Sequence, residues 1–132
     1  MNILLLGPEG SITHTILEML EPIEDWHTES HISENDVSAL TIPQPGNTSY
    51  DIILVNLNGF SDSPRETVRN ILSKFPDTPL LALNSYSKKL LIKPLLELGA
   101  NGYIQVGASE EVIIEAVSKV VEGKQYIYTN ST

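Results

Sequence analysis

Short runs of apolar residues alternate along the chain with stretches in which apolar residues recur at the three- to four-residue spacing of a helix. Residues 2–6, 51–57 and 79–83 are almost wholly apolar, which is typical of parallel strands buried on both faces. Residues 26–32 alternate, with His27, Glu29 and His31 on one side, which predicts an edge strand. Residues 103–106 are predicted to form the last strand.

Helices are predicted between these strands. Ser11 is a predicted N-cap for a first helix, which Pro22 ends. An acidic residue three positions after Ser33 gives the spacing of a capping box, which predicts a short second helix to about Leu40. Two prolines and a glycine then predict a loop over residues 41–49.

Prolines mark the next two predicted helices, one at its first turn and one in its interior. Ser63 and Pro64 are a predicted N-cap and first-turn proline for a third helix. The fourth helix, residues 88–98, contains Pro94, which has no N–H to donate to the carbonyl four residues earlier. We therefore expect this helix to be broken or to begin late, near Lys93.

The fifth helix is predicted to begin after Ser109 and to be amphipathic. Charged side chains at Glu111, Glu115 and Lys119 line its polar face. Its predicted apolar stripe consists of Val112, Ile113, Ala116, Val117, Val120 and Val121.

Strands and helices therefore alternate along the whole chain. This order is typical of an α/β fold in which a parallel sheet has right-handed crossovers and helices on both faces. A length of 132 residues suits a single domain, residues 1–132. In open parallel sheets the functional groups gather beyond the carboxyl ends of the strands, so the candidate site lies there.

Composition narrows the function classes. The chain has 8 Lys and Arg against 17 Asp and Glu, a net charge of −9, which a nucleic-acid backbone would repel. It has no cysteine, which excludes disulfides and cysteine-based zinc sites. No apolar run approaches the roughly 18 residues of a membrane span. We expect a soluble, cytoplasmic protein that binds neither nucleic acid nor membrane directly.

Three stretches resemble a known family: residues 2–7, 51–58 and 98–105. The last of these, Leu-Gly-Ala-Asn-Gly-Tyr-Ile-Gln, is close to the Gly-Ala-x-Gly-Tyr pattern of NarL/FixJ-type response-regulator receiver domains. Residues 109–126 are similar to that family's last helix and exit. The resemblance to this CheY-like superfamily implies a doubly wound, flavodoxin-like (βα)5 sandwich with a five-stranded parallel sheet in the order 2-1-3-4-5.

The phosphorylation site of the family does not carry over. The acidic pair that holds Mg²⁺ falls on Gly7 and Pro8, and the phosphoacceptor aspartate falls on Asn56. The Thr or Ser that ends the fourth strand falls on Asn84, and the lysine of the last strand falls on Val106. A carboxamide is not a nucleophile, and Mg²⁺ prefers anionic oxygen ligands. The resemblance therefore implies a degenerate pseudo-receiver without phosphotransfer, metal or cofactor.

The resemblance further implies a regulatory module that acts through protein–protein contacts in signal transduction or transcription regulation, and not an enzyme. Receivers pair through the fourth helix, last strand and fifth helix, which predicts a homodimer or a protein partner there. Tyr103 matches the aromatic that receivers use as a switch, although it could simply be a packed aromatic. A DNA-binding half outside this chain is compatible with this interpretation. The candidate interface residues are Tyr103, Glu111, Glu115, Lys119 and Glu122.

Other functions stay open at this point. A small-ligand-binding domain or an enzyme could use the same strand ends, which would require Asn56 and Asn84 to converge in a pocket. Glu9 lies one residue past the lost acidic pair and could reach that pocket from a shifted loop. A stand-alone adaptor for a different protein is the third possibility.

One group of potential metal ligands has an alternative explanation. His27, Glu29 and His31 alternate, so on a strand they share one side and could bind Zn²⁺ or Ni²⁺. We favour instead a polar edge strand on which such residues discourage aberrant pairing. His14, alone in the first helix, is expected to be exposed.

Overall fold

The computed structural model of the chain describes residues 1–33, 49–60 and 63–130. Within these residues no helix is long and apolar enough to cross a membrane. The predicted second helix and the loop after it lie outside the described residues. The described elements are β1 Asn2–Pro8, α1 Ser11–Leu20, β2 His27–Ser33, β3 Ile52–Asn56, α2 Pro64–Lys74, β4 Leu80–Asn84, α3 Lys89–Leu98, β5 Gly102–Gln105, α4 Glu110–Val121 and β6 Tyr126–Tyr128.

The strands form one parallel sheet in the order β2-β1-β3-β4-β5-β6. This confirms the parallel α/β fold and places β2 at an edge, as its alternating pattern predicts. The expected count of five strands was wrong, because β6 adds a sixth strand beside β5. A three-residue strand is too short to give a periodicity signal. Gly102 permits the close pairing: a Cβ there would lie 2.9 Å from the backbone oxygen of Tyr126.

Helices cover both faces of the sheet, and each face has its own core. Alternate residues along each strand point to opposite faces, so Leu4 and Leu6 lie in one cluster and Ile3 and Leu5 in the other. The first cluster packs against α2 and α3, and the second against α1 and α4. In α4 the predicted stripe is buried except at Val112, which is half-buried, and at Val121, which is 38% exposed.

Two predicted helix caps are confirmed and one is wrong. The Ser63 hydroxyl accepts a hydrogen bond from the Glu66 backbone N–H at 3.2 Å, and Ser109 caps α4 in the same way. The cap of α1 is Gly10 and not Ser11. Gly10 has a φ of 155°, a conformation that side chains disfavour, so glycine fits this entry turn.

The prediction that Pro94 breaks its helix was also wrong. The helix α3 runs without interruption from Lys89 to Leu98 with Pro94 inside it. The carbonyl that loses its partner belongs to Leu90, which is 80% exposed, so solvent can reach that side of the helix. Burial of Ile92 and Leu95 against the sheet stabilises the helix and offsets the lost hydrogen bond.

Candidate functional site

The carboxyl ends of the strands bring part of the predicted site together. Asn56 ends β3 and lies beside Gly7 near the end of β1: a Cβ built on Gly7 would be 3.2 Å from the Asn56 Cβ. We call the region formed by Gly7, Thr13, Asn56 and Asn58 the strand-end pocket. The surface concavity over it has a volume of about 240 Å³.

The Asn56 carboxamide is held by hydrogen bonds inside the protein. Its Nδ2 donates to the Thr13 hydroxyl at 3.0 Å, and its Oδ1 accepts from the Asn58 backbone N–H at 3.1 Å. Asn56 is 1% exposed and Thr13 is fully buried. Buried polar groups require such partners, so the amide is fixed in orientation by its neighbours and turned away from solvent.

Gly7 has no room for a side chain in this arrangement. A Cβ at this position would lie 2.5 Å from the Thr13 Oγ1 and 3.0 Å from its Cγ2. Threonine is β-branched and has few rotamers, so it cannot easily move aside. The space that a carboxylate at residue 7 would need is therefore occupied by Thr13.

Glu9 lines the concavity next to the strand-end pocket and pairs with α1. Its Oε1 lies 2.7 Å from the His14 Nε2, and the two side chains are 52% and 47% exposed. His14 is exposed as predicted, but it is not isolated. A side-chain contact this exposed contributes little to stability.

Neither Asn84 nor Val106 lines the concavity that Asn56 lines. The Asn84 Oδ1 accepts a hydrogen bond from the Ser85 backbone N–H at 2.8 Å, and the residue is nearly buried. Val106 packs against the core cluster of α1 and α4. It lines a separate apolar cleft of about 260 Å³, together with Ile12, Thr15, Ile16, Met19 and Ala108.

The candidate interface residues fall into two groups. Tyr103 is fully buried in the core beneath α3, and its hydroxyl donates to the Tyr86 backbone oxygen at 2.7 Å. Burial raises the pKa of the Tyr103 hydroxyl well above its usual range. Tyr103 therefore packs in the core with residues of α3 and is not itself part of the exposed surface. The acidic candidates Glu111, Glu115 and Glu122 are exposed, and Lys119 is half-buried.

Two of the acidic candidates already have nearby partners. The Tyr126 hydroxyl donates to the Glu115 carboxylate at 3.4 Å. Glu122 lies 3.3 Å from the Lys124 ammonium. Burial, followed by the Glu115 carboxylate, raises the pKa of Tyr126.

One of the potential metal ligands of β2, Glu29, has a hydrogen-bond partner inside the protein. The Tyr50 hydroxyl donates to the Glu29 carboxylate, and the Tyr50 ring packs edge-on against Phe75 with centroids 6.0 Å apart. Over residues 1–33, 49–60 and 63–130 no three His, Asp or Glu side chains group so as to hold a metal ion.

Sequence reasoning missed two features of the molecule. Thr13 is the internal partner of Asn56, and the signal for it is its place on the buried stripe of α1 with Ile16 and Leu20. A polar residue on such a stripe requires a hydrogen-bond partner. The second feature is an apolar groove between α3 and β6, which depends on the unpredicted strand.

No protein-family model matches the chain, but curated sequences do. It is 28% identical over 123 residues to the transcriptional regulatory protein YdfI of Bacillus subtilis (strain 168), which covers 93% of this chain and 56% of that protein. It is 29% identical over 82 residues to the transcriptional regulatory protein DegU of Brevibacillus brevis, covering 62% and 35%. The chain thus spans about half, or less, of the length of these relatives.

Solved structures share the fold. The isolated REC domain of RcsB from Salmonella enterica serovar Typhimurium superposes with a TM-score of 0.79 at 16% identity, covering 97% of this chain and 92% of that one. A LuxR family DNA-binding response regulator from Silicibacter pomeroyi has a TM-score of 0.72 at 20% identity over both whole chains. The chain is thus similar in sequence to transcriptional regulatory proteins, and it shares the fold of these solved response regulators. All three of YdfI, DegU and the Silicibacter protein are regulators.

Proposed function

We propose that the chain is a receiver-like regulatory module that acts through protein–protein contacts in signal transduction or transcription regulation, without being phosphorylated. The observation that carries this proposal is the Asn56–Thr13 hydrogen bond. The position that a phosphoacceptor would take in the strand-end pocket holds the neutral amide of Asn56, which is buried and already hydrogen-bonded.

The chemistry of phosphotransfer explains why this observation matters. An aspartyl phosphate forms because an anionic carboxylate attacks phosphorus, whereas a carboxamide has neither the charge nor the nucleophilicity. Mg²⁺ would need anionic oxygens near Gly7, where Thr13 fills the space. The phosphoryl oxygens also need a positive counter-charge, which Val106 does not supply.

Treatment with small phosphodonors tests this proposal. The chain is incubated with Mg²⁺ and acetyl phosphate, and separately with beryllofluoride, beside a receiver domain that is labelled under the same conditions. We expect no change in mass and no change in the amide chemical shifts of this chain. A gain of one phosphoryl group on the peptide that contains Asn56 would contradict the proposal.

The output of the module is proposed to be a protein–protein contact. RcsB has been solved as two dimers bound to DNA, and the matched residues cover only 56% of YdfI and 35% of DegU. By analogy, we propose that this chain is the regulatory part of a transcription regulator and contacts either a protein partner or a second copy through α3, β5 and α4. Sedimentation at low and high salt tests pairing, because the charged residues of α4 predict a weak, salt-sensitive complex.

A second candidate function is the binding of a small apolar ligand. The cleft beside Val106 favours it, since its walls are mainly apolar and Thr15 offers a hydroxyl at its edge. Amide chemical shifts recorded during a fragment screen would distinguish the two functions. Saturable shifts confined to Ile12, Thr15, Val106 and Ala108 would support ligand binding.

A further inference from the structure

The most exposed large apolar side chain of the described residues lies on α3. Leu90 is 80% exposed, and Ile127 on β6 is 43% exposed. Both line a groove of about 410 Å³ between α3 and β6, the α3–β6 groove, whose other lining residues are Lys89, Ile92, Lys93 and Leu96. Exposed apolar area that gathers in a groove marks an interaction site more often than a scattered side chain does.

The groove exists because β6 pairs with β5. Tyr126 and Tyr128 turn toward the core cluster of α1 and α4, so Ile127 between them faces the opposite side, toward α3. Its register partner on β5 is Tyr103, which is buried directly beneath α3. One wall of the groove therefore belongs to a strand that a five-stranded receiver sheet would lack.

Charge at the groove differs from charge on the rest of the chain. Lys88, Lys89 and Lys93 are all exposed and make up three of the 8 basic residues in a chain with a net charge of −9. Lys93 approaches Glu97 at 3.9 Å, but both side chains are at least 65% exposed, so this pair neutralises little. The groove is thus an apolar surface with a basic rim on an acidic protein.

We propose that the α3–β6 groove binds an amphipathic, acidic segment of another protein, with apolar side chains in the groove and carboxylates toward Lys89 and Lys93. This inference rests on the proposed function and names its partner class. A helix that lays an apolar face into a groove is a common mode of peptide recognition. Charge complementarity at the rim adds specificity and speeds association.

The same charges argue against a second copy of this chain as the occupant. A twofold contact uses the same patch on both copies, so pairing centred on the groove would place Lys88, Lys89 and Lys93 of both copies side by side. The net charge of −9 likewise disfavours an anionic membrane surface or a nucleic acid.

A synthetic peptide tests the proposal. The probe is a helix-forming peptide with leucines at i, i+3, i+4 and i+7 and glutamates on both flanks, and its matched control carries lysines in place of the glutamates. Binding is followed by amide chemical shifts of the whole chain. We expect shifts confined to α3 and β6, and binding of the lysine peptide weaker by about tenfold.

Two variants locate the contact. Leu90→Glu should weaken binding by about tenfold, because it puts a charge into the groove. Val121→Glu makes the same change at another exposed apolar residue, 38% exposed and outside the groove, and should leave binding within about twofold. Leu90 is exposed, so its variant is expected to fold, which the amide spectrum checks directly.

Several outcomes would overturn the inference. The absence of chemical-shift changes at millimolar peptide, or shifts on elements other than α3 and β6, would contradict it. Equal binding of the two peptides would also contradict it, as would self-association that Leu90→Glu abolishes. The last outcome would assign the groove to a second copy. The phosphodonor experiment does not involve the groove, so its failure and the failure of this inference are separate results.

Discussion

The strand-end pocket and the α3–β6 groove differ in what their side chains expose to solvent. In the pocket, Asn56 and Thr13 are buried and meet their hydrogen-bonding needs with each other and with the backbone. In the groove, the side chains of Leu90 and Ile127 are exposed and are not covered by other parts of the described chain. A buried polar group that already has its hydrogen-bond partners has little free capacity to bind a ligand. Covering exposed apolar area, in contrast, lowers the free energy. Resemblance to a family therefore points to one end of the sheet, while burial indicates which surface a partner can contact.

The strongest test of the closed pocket is Gly7→Asp, which returns a carboxylate to the first strand end. The side chain would collide with Thr13, only 2.5 Å from the Cβ position, and would place a charge in a buried site. We expect the free energy of unfolding to fall by about 3 kcal/mol or more. Urea denaturation followed by circular dichroism measures this change.

A double-mutant cycle identifies the cause of that loss. Gly7→Ala should be destabilising alone, and Thr13→Ala should leave the Asn56 Nδ2 without its partner. Because Thr13→Ala also makes room for the new methyl group, the double variant should be more stable than the sum of the two losses predicts. Strict additivity would show that Thr13 does not exclude a side chain from residue 7.

Restoring the nucleophile alone should not reopen the pocket. Asn56→Asp supplies a carboxylate but no acidic partner at Gly7 and no lysine at Val106, so we expect no labelling by acetyl phosphate. The buried charge should also lower stability by about 1–3 kcal/mol. Asn58→Asp is the matched control, because the same change at a half-buried turn residue should cost less. Robust phosphorylation of Asn56→Asp would mean that Glu9 or another group can hold Mg²⁺.

Tyr103 links the core to the groove, and its titration can be measured. Tyr103→Phe removes the hydrogen bond to the Tyr86 backbone oxygen, which should cost about 1 kcal/mol near pH 7. Because burial raises the pKa of Tyr103 in the folded state, the unfolded chain loses this proton first as pH rises. The stability advantage of the wild-type chain over Tyr103→Phe should therefore shrink above about pH 10, by about 1.4 kcal/mol per pH unit. Urea denaturation at several pH values checks this, and a constant difference would count against a buried hydroxyl.

The smallest effect is expected at the groove itself. Leu90→Ser should change the free energy of unfolding by no more than about 0.5 kcal/mol, since the side chain is already 80% exposed. Leu95→Ala, on the buried side of the same helix, should cost about 2–5 kcal/mol. Thermal or urea denaturation of the pair makes the comparison. A large loss for Leu90→Ser would mean that Leu90 belongs to the core and that the groove is closed in solution.

Local signals predicted much of this fold. The buried strands, the caps at Ser63 and Ser109 and the edge position of β2 follow from neighbouring residues, because periodicity and capping act within a few positions. The placement of Asn56 at a strand end followed in the same way. The pairing of Asn56 with Thr13 did not, since those residues are 43 positions apart and meet only through the packing of α1 on the sheet.

The sequence by itself determined which residues could form strands and helices, their parallel α/β order, and the absence of a carboxylate at residues 7 and 56. Tertiary structure alone decided that Pro94 is tolerated inside α3, that Asn56 bonds to Thr13, and that residues 126–128 become a sixth strand. The physical reason is the range of the forces involved. Propensity and periodicity are local, whereas burial and cross-strand pairing depend on which distant surfaces meet and can outweigh a local preference.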